Sequence, residues 1–178
     1  DGIVLPILHL NGYKIANPTV LSRISNDELL NYFKGCGWDP YYLEGKDEIE
    51  LHKQMALIMD EIVEKLQIIK ADAKNGRIRR PAYPMLILRT PKGWTGPKVV
   101  EGKQIEGTFR AHQVPIVVNS TNDKNLELLE EWLRSYKPEE LFDKNGVLRK
   151  DLKELTPKEN RRMGSNMHAN GGRLLKEL

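Results

Sequence analysis

The stretch LILRTPKGWTGP, residues 86–97, joins a short apolar run to a loop rich in proline and glycine. The run starts at Met85 and is bounded by Pro84 and Arg89, which is typical of a central strand covered on both faces of a parallel sheet. Ligands of such sheets bind just beyond the carboxyl ends of the strands. Lys92 therefore lies on a strand-end loop, where its charge can either meet an anion or be solvated.

A strand and a helix are predicted at the start of the chain. IVLPILHL (residues 3–10) indicates a first strand that ends at the turn signal formed by Asn11 and Gly12. Ser25 and Glu28 have the spacing of a capping box, which predicts that a helix begins there.

Alternation of strands and helices continues through the rest of the chain. WDPYYLEG (residues 38–45) predicts a second strand, and VPIVV (residues 114–118) predicts a last one after the central run. Apolar residues at intervals of three and four predict a long amphipathic helix: Leu51, Met55, Ile58, Ile62, Leu66 and Ile69. The segment NLELLEEWLRSY (residues 125–136) predicts another, with these residues turned inward: Leu126, Leu129, Trp132 and Leu133.

This order predicts an α/β fold, a parallel sheet with helices on both faces. A length of 178 residues fits one domain, here 1–178. From about residue 143 the chain becomes polar and loses periodicity, which predicts an irregular tail. The chain opens on Asp1 rather than methionine and enters a core strand almost at once, so we expect a partial domain from a longer polypeptide.

Composition excludes several classes of protein. The 28 basic and 25 acidic residues give a nearly balanced surface, which does not by itself indicate a nucleic-acid partner. The single Cys36 can form no internal disulfide, so a reducing, cytoplasmic compartment is expected. No run approaches the roughly 18 apolar residues of a membrane helix, so no membrane association is expected. The common nucleotide, esterase and cysteine–histidine metal motifs are absent from the sequence.

Candidate site residues follow the predicted strands. The Asn11 amide oxygen and the Tyr13 backbone carbonyl are hard ligands of the kind that Mg²⁺ accepts, although Asn-Gly is more often only a turn. His112 stands directly before an apolar run, where an imidazole can transfer a proton or donate to a phosphate. His9 is expected to be a hydrogen-bonded core residue, and His168 either a loop cap or a ligand contact.

Four stretches together resemble successive motifs of the phosphoketolase family, thiamine diphosphate enzymes that split xylulose 5-phosphate or fructose 6-phosphate with inorganic phosphate. They are LPILHLNGYKIANPTVLSRIS (5–25), RTPKGWTGPK (89–98), GTFRAHQVPI (107–116) and RMGSNMHANGG (162–172). The resemblance implies a fragment of the amino-terminal domain, with the thiamine diphosphate-binding fold, of a carbon–carbon lyase. It also implies a homodimer or a higher homo-oligomer for the full-length enzyme.

The resemblance assigns roles residue by residue. It makes the Asn11 side chain and the Tyr13 carbonyl magnesium ligands, with Gly12 between them in the cofactor-binding turn. It places Lys92 and His112 along the cofactor and substrate channel, Lys92 as an electrostatic anchor and His112 in proton transfer. The family's Gly-Asp-Gly motif and its catalytic glutamate have no counterpart in this sequence, so the isolated chain is expected to be inactive and not to retain thiamine diphosphate or Mg²⁺.

Two other functions stay open from the sequence. A transketolase relative would share the asparagine, the carbonyl and the histidine, and would differ in transferring a ketol group instead of forming acetyl phosphate. A non-enzymatic module that binds anions or RNA would depend on Arg77, Arg79 and Arg80 and on the pI of about 8.9. Steeply salt-dependent RNA binding would favour that function.

Overall fold

The computed structural model describes residues 3–77, 80–162 and 165, and these divide into two compact units between Asn125 and Leu126. The strands are β1 (Ile7–Leu10), β2 (Tyr13–Lys14), β3 (Asn17–Pro18), β4 (Trp38–Glu44), β5 (Tyr83–Arg89), β6 (Val99–Val100) and β7 (Lys103–Gln104). The α-helices are α1 (Asn26–Gly35), α2 (Glu48–Lys74), α3 (Asp123–Ser135) and α4 (Lys150–Glu154).

The first unit is built on a parallel sheet with the strand order β1-β5-β4. Leu86 of β5 aligns with Ile7 of β1 on one side and with Tyr41 of β4 on the other. β5 is therefore the central strand, and it is buried from Pro84 to Ile87. The predicted parallel sheet of an α/β fold is confirmed.

Side chains of β5 alternate between the two faces of the sheet, as the pleat requires. Met85 and Ile87 form a core with Leu29 of α1. Leu86 instead joins a second core with Leu51 of α2. Helices therefore cover both faces of the central strand, which explains its uninterrupted apolar run.

Helices α1 and α2 begin at residues whose side chains cap them, and α2 ends before a glycine. The Ser25 hydroxyl accepts the N–H of Glu28 at 3.2 Å, and the Glu28 carboxylate accepts the N–H of Ser25 at 2.8 Å, so the predicted capping box is confirmed. The Asp47 carboxylate caps α2 by accepting the N–H of Glu50 at 2.8 Å. α2 ends before Gly76, whose φ of +72° lies in the left-handed region that favours glycine.

β1 differs from the predicted buried strand because it lies at an edge of the described sheet. Leu10 packs on the α1 side and is buried. Ile7 is 51% exposed and His9 is also exposed, because α2 covers β4 and β5 but not this side of β1. His9 does make a hydrogen bond, between its Nε2 and the Thr90 hydroxyl at 2.7 Å, yet the prediction that it is a core residue was wrong.

Two further predictions fail toward the end of the chain. Residues 114–118 form no strand: Val114 and Val117 are 73% and 62% exposed, and Pro115 has no N–H to give to a neighbouring strand. Helix α3 forms, but Leu126 and Leu133 are each 52% exposed, so apolar periodicity alone did not identify an inward face.

Apart from α3, most of which it contains, the second unit holds only short elements within the described residues. The 3₁₀ turns Pro138–Glu140 and Glu159–Arg161 flank α4, so the segment predicted to be irregular from about residue 143 contains one short helix. None of the helices in the described ranges is long and apolar enough to cross a membrane.

Candidate functional site

A cavity of about 560 Å³ opens at the carboxyl edge of the parallel sheet. The ends of all three sheet strands contribute to its lining, together with the turn that precedes α1. Asn11, Gly12 and Tyr13 follow β1 into this lining, as a site at the strand ends requires.

An Asx turn fixes the side chain of Asn11. Its Oδ1 accepts the N–H of Tyr13 at 3.1 Å, across the intervening Gly12. Gly12 has a φ of +92°, a conformation that L side chains rarely adopt. The turn leads into the β2–β3 hairpin, where the Gly12 carbonyl accepts the N–H of Thr19 at 3.0 Å.

The register of this hairpin determines where the Tyr13 carbonyl points. Gly12 and Thr19 form a hydrogen-bonded pair, so the next pair, Tyr13 with Pro18, is of the non-bonded kind. The N–H and C=O of Tyr13 therefore both point away from β3. Because this N–H reaches Asn11 Oδ1, the amide oxygen and the Tyr13 carbonyl lie at the same edge of the hairpin. Two hard oxygens on one edge fit the ligand preference of Mg²⁺.

Lys92 ties the tip of the hairpin to the loop after β5. Lys92 is only 7% exposed, and its ammonium donates to the Ile15 carbonyl at 3.1 Å. Ile15 has a φ of +57° and forms the tip between β2 and β3. An ammonium has three N–H bonds, so this contact leaves donors for a ligand.

A second polar cluster borders the cavity at the end of β5, and sequence reasoning missed it. The Arg89 guanidinium donates to the Ser22 carbonyl at 2.8 Å and to the Asn26 side-chain oxygen. The Tyr42 hydroxyl donates to Glu44 at 2.6 Å. Burial raises the pKa of Tyr42, and the hydrogen bond to Glu44 raises it further. The available signal was the position of Arg89, the first charged residue after the buried run.

His112 lies at the end of the 3₁₀ turn Phe109–His112 and is exposed. It lines a separate cavity of about 400 Å³, together with Ile15 and Ala16 from the hairpin tip. The structure thus brings His112 beside one end of the hairpin, whereas Asn11 and Tyr13 face the cavity at the other.

Charges around the first cavity favour an anionic ligand. Arg23, Lys46 and Arg89 contribute three cations, against the single carboxylate of Glu44. Within the described ranges, no three His, Cys, Asp or Glu side chains are grouped to hold a metal ion. A magnesium ion held by Asn11 and Tyr13 would therefore need further oxygens from a ligand or from other residues. His168 and Arg79, also considered from the sequence, lie outside the described residues.

Comparison with known proteins matches this chain to one family. The model described as XFP N-terminal domain matches residues 1–174. The chain is 60% identical to a probable phosphoketolase of Clostridium acetobutylicum, 58% identical to probable phosphoketolase 2 of Nostoc sp. and 56% identical to a probable phosphoketolase of Thermosynechococcus vestitus. Each alignment covers 100% of this chain and 22%, 23% and 22% of the respective relative. The chain thus spans less than a quarter of the length of these relatives.

Proposed function

The chain belongs to the phosphoketolase family, within its XFP N-terminal domain, and from this we propose that it forms part of a thiamine diphosphate-dependent phosphoketolase. The full-length enzyme would cleave xylulose 5-phosphate, fructose 6-phosphate or both with inorganic phosphate, giving acetyl phosphate and an aldose phosphate. The observation that carries the proposal is the shared edge of Asn11 Oδ1 and the Tyr13 carbonyl at the mouth of a cation-lined cavity.

The donor set fits a magnesium-bound diphosphate. Asn11 and the Tyr13 carbonyl would hold the ion, and the Gly12 turn keeps the backbone close to it. Thiamine diphosphate, when bound, supplies the electron sink that carbon–carbon cleavage requires. The cations at Lys46 and Arg89 favour a diphosphate in this cavity over a neutral ligand.

Lys92 and His112 would serve different parts of the reaction. The buried ammonium of Lys92 lies beside the hairpin tip, where a positive charge favours anionic groups of cofactor or substrate. The exposed imidazole of His112 can hold or deliver a proton at a substrate oxygen in the neighbouring cavity. The full-length enzyme would work in the cytoplasm as a homodimer or a higher homo-oligomer, without nucleic-acid or membrane partners.

The test is an assay of the full-length enzyme with each ketose phosphate and inorganic phosphate. We expect acetyl phosphate to form, trapped as its hydroxamate, and to vanish when Mg²⁺ is chelated or thiamine diphosphate is removed. Ketol transfer to an aldose acceptor without acetyl phosphate would instead identify a transketolase relative. RNA binding that weakens steeply with salt, with neither activity, would identify the non-enzymatic module.

A further inference from the structure

We infer that Arg89 is a positioning residue for the metal-binding turn, the Asx turn of residues 11–13. It acts through Ser22 on the peptide that joins Gly12 to Tyr13. This inference rests on the proposed function, because it assumes that Asn11 and the Tyr13 carbonyl hold a magnesium ion. Arg89 itself is not assigned as a ligand of that ion.

The Arg89 guanidinium is held between three neighbouring elements. It donates to the Ser22 carbonyl at 2.8 Å, to the side-chain oxygen of Asn26 at the start of α1, and to the Tyr42 hydroxyl of β4 at 3.4 Å. A planar guanidinium can reach acceptors in several directions at once, which an ammonium on a flexible stem cannot do with the same geometry. Arg89 thereby fixes the backbone of Ser22 relative to the end of β5.

Ser22 connects Arg89 to the metal-binding turn through the hydrogen bonds of its hydroxyl. Its hydroxyl lies 3.2 Å from the Gly12 carbonyl and 2.7 Å from the Thr19 carbonyl, with a proton to donate to either. The N–H of Thr19 reaches the same Gly12 carbonyl at 3.0 Å. The Gly12 carbonyl is therefore held by the Thr19 N–H, and the Ser22 hydroxyl supports it either directly or by binding the Thr19 carbonyl.

One rigid peptide unit connects that carbonyl to the proposed ligand Asn11 Oδ1. The Gly12 C=O and the Tyr13 N–H belong to the same planar amide, so fixing one fixes the other. The Tyr13 N–H in turn holds Asn11 Oδ1 at 3.1 Å. A rotation of this amide would turn Asn11 Oδ1 away from the edge that it shares with the Tyr13 carbonyl. Arg89 thus controls the ligand geometry without touching it.

The experiment measures thiamine diphosphate affinity by calorimetry at saturating Mg²⁺, with the full-length enzyme. Arg89→Lys keeps the charge but removes the planar guanidinium that reaches several acceptors at once, and Ser22→Ala removes only the hydroxyl. We expect each to raise the Kd about tenfold, as loss of a residue that orients a metal ligand commonly does. The Kd of the double variant is expected to be no higher than the larger of the two single-variant Kd values, because both changes break the same chain of contacts. Arg134→Lys, which alters an exposed pair with Glu130 on α3, is the matched control and should leave the Kd unchanged.

Other outcomes overturn the inference. An unchanged Kd in Ser22→Ala, which hardly perturbs packing, would show that the hydroxyl does not orient the turn. Multiplying effects in the double variant would show that Arg89 acts by another route, such as its contacts with Asn26 and Tyr42. A lower melting temperature of the cofactor-free enzyme with an unchanged Kd would mark Arg89 as merely structural. Wild-type enzyme that fails to bind thiamine diphosphate would refute the proposed function itself, and the inference with it.

Discussion

Replacement of Gly93 by alanine probes how the loop after β5 packs against the turn that carries His112. Gly93 has a φ of +73°, a conformation that costs an L-residue about 1–2 kcal/mol. A β-carbon added there would lie 2.5 Å from the β-carbon of Ala111, next to His112. Either the loop or the turn must then move, and overpacking of this kind costs about 1–3 kcal/mol.

Gly102→Ala is the matched control for the backbone term. Gly102 has a φ of +74°, but nothing lies within 4 Å of the β-carbon it would gain. The two variants therefore share the backbone strain and differ in the steric contact. The difference of about 1–3 kcal/mol corresponds to roughly a 5- to 150-fold change in an equilibrium constant.

Hydrogen exchange in the full-length protein reads out this difference locally. The N–H of Ala111 donates to the Thr108 carbonyl at 3.3 Å, so its protection reports opening of the turn. We expect Gly93→Ala to lower that protection by the stated factor relative to Gly102→Ala. Adding Ala111→Gly, which removes the opposing methyl group, should restore protection of the neighbouring amides. Equal protection in the two single variants would refute the argument that this contact is tight.

Three further outcomes are expected. The hydrogen bonds from Ser25 lower the pKa of Glu28, so their stabilisation of α1 is present above the ordinary glutamate range and is lost as the pH falls through the folded-state pKa. The protection factors of α1 amides, which are exchange rates corrected for the intrinsic rate at each pH, should therefore fall in acid, and an identical profile in Glu28→Gln would contradict this. His112→Asn in the full-length enzyme should lower turnover roughly a hundredfold with the fold retained, and near-normal turnover would return His112 to a loop-ordering role. The isolated chain should bind thiamine diphosphate weakly at best, because the described residues hold no group of three His, Cys, Asp or Glu side chains that could complete the Mg²⁺ site of Asn11 and Tyr13, and submicromolar binding would disprove that.

The parts of the fold that sequence predicted are those in which local chemistry and burial agree. The run through Leu86 is apolar because helices cover both of its faces, and the capping box of Ser25 with Glu28 needs only its own four residues. The run at residues 114–118 and the face of α3 misled because periodicity records apolar side chains, not whether a partner surface lies within the described residues.

The candidate site was predictable only in its chemistry. Asn11 and Tyr13 stand out as hard donors after a strand, and their shared edge follows from the hairpin register, which sequence alone does not supply. The contact from Lys92 to Ile15 spans 77 positions, and the one from Arg89 to Ser22 spans 67. Such contacts depend on the tertiary fold, so no local sequence pattern predicts them.

Replacement of Asn11 by alanine tests most directly the claim that the β2–β3 hairpin, with the Asx turn of Asn11 that leads into it, holds a magnesium-bound diphosphate. Thiamine diphosphate is titrated calorimetrically into the full-length enzyme at saturating Mg²⁺. Asn17→Ala, in the exposed β3 strand of the same hairpin, is the control. We expect Asn11→Ala to raise the Kd at least about tenfold, since loss of a direct ligand should cost no less than loss of its supporting residues, while Asn17→Ala leaves it unchanged. An unchanged Kd in Asn11→Ala would contradict the assignment of this hairpin as the metal site.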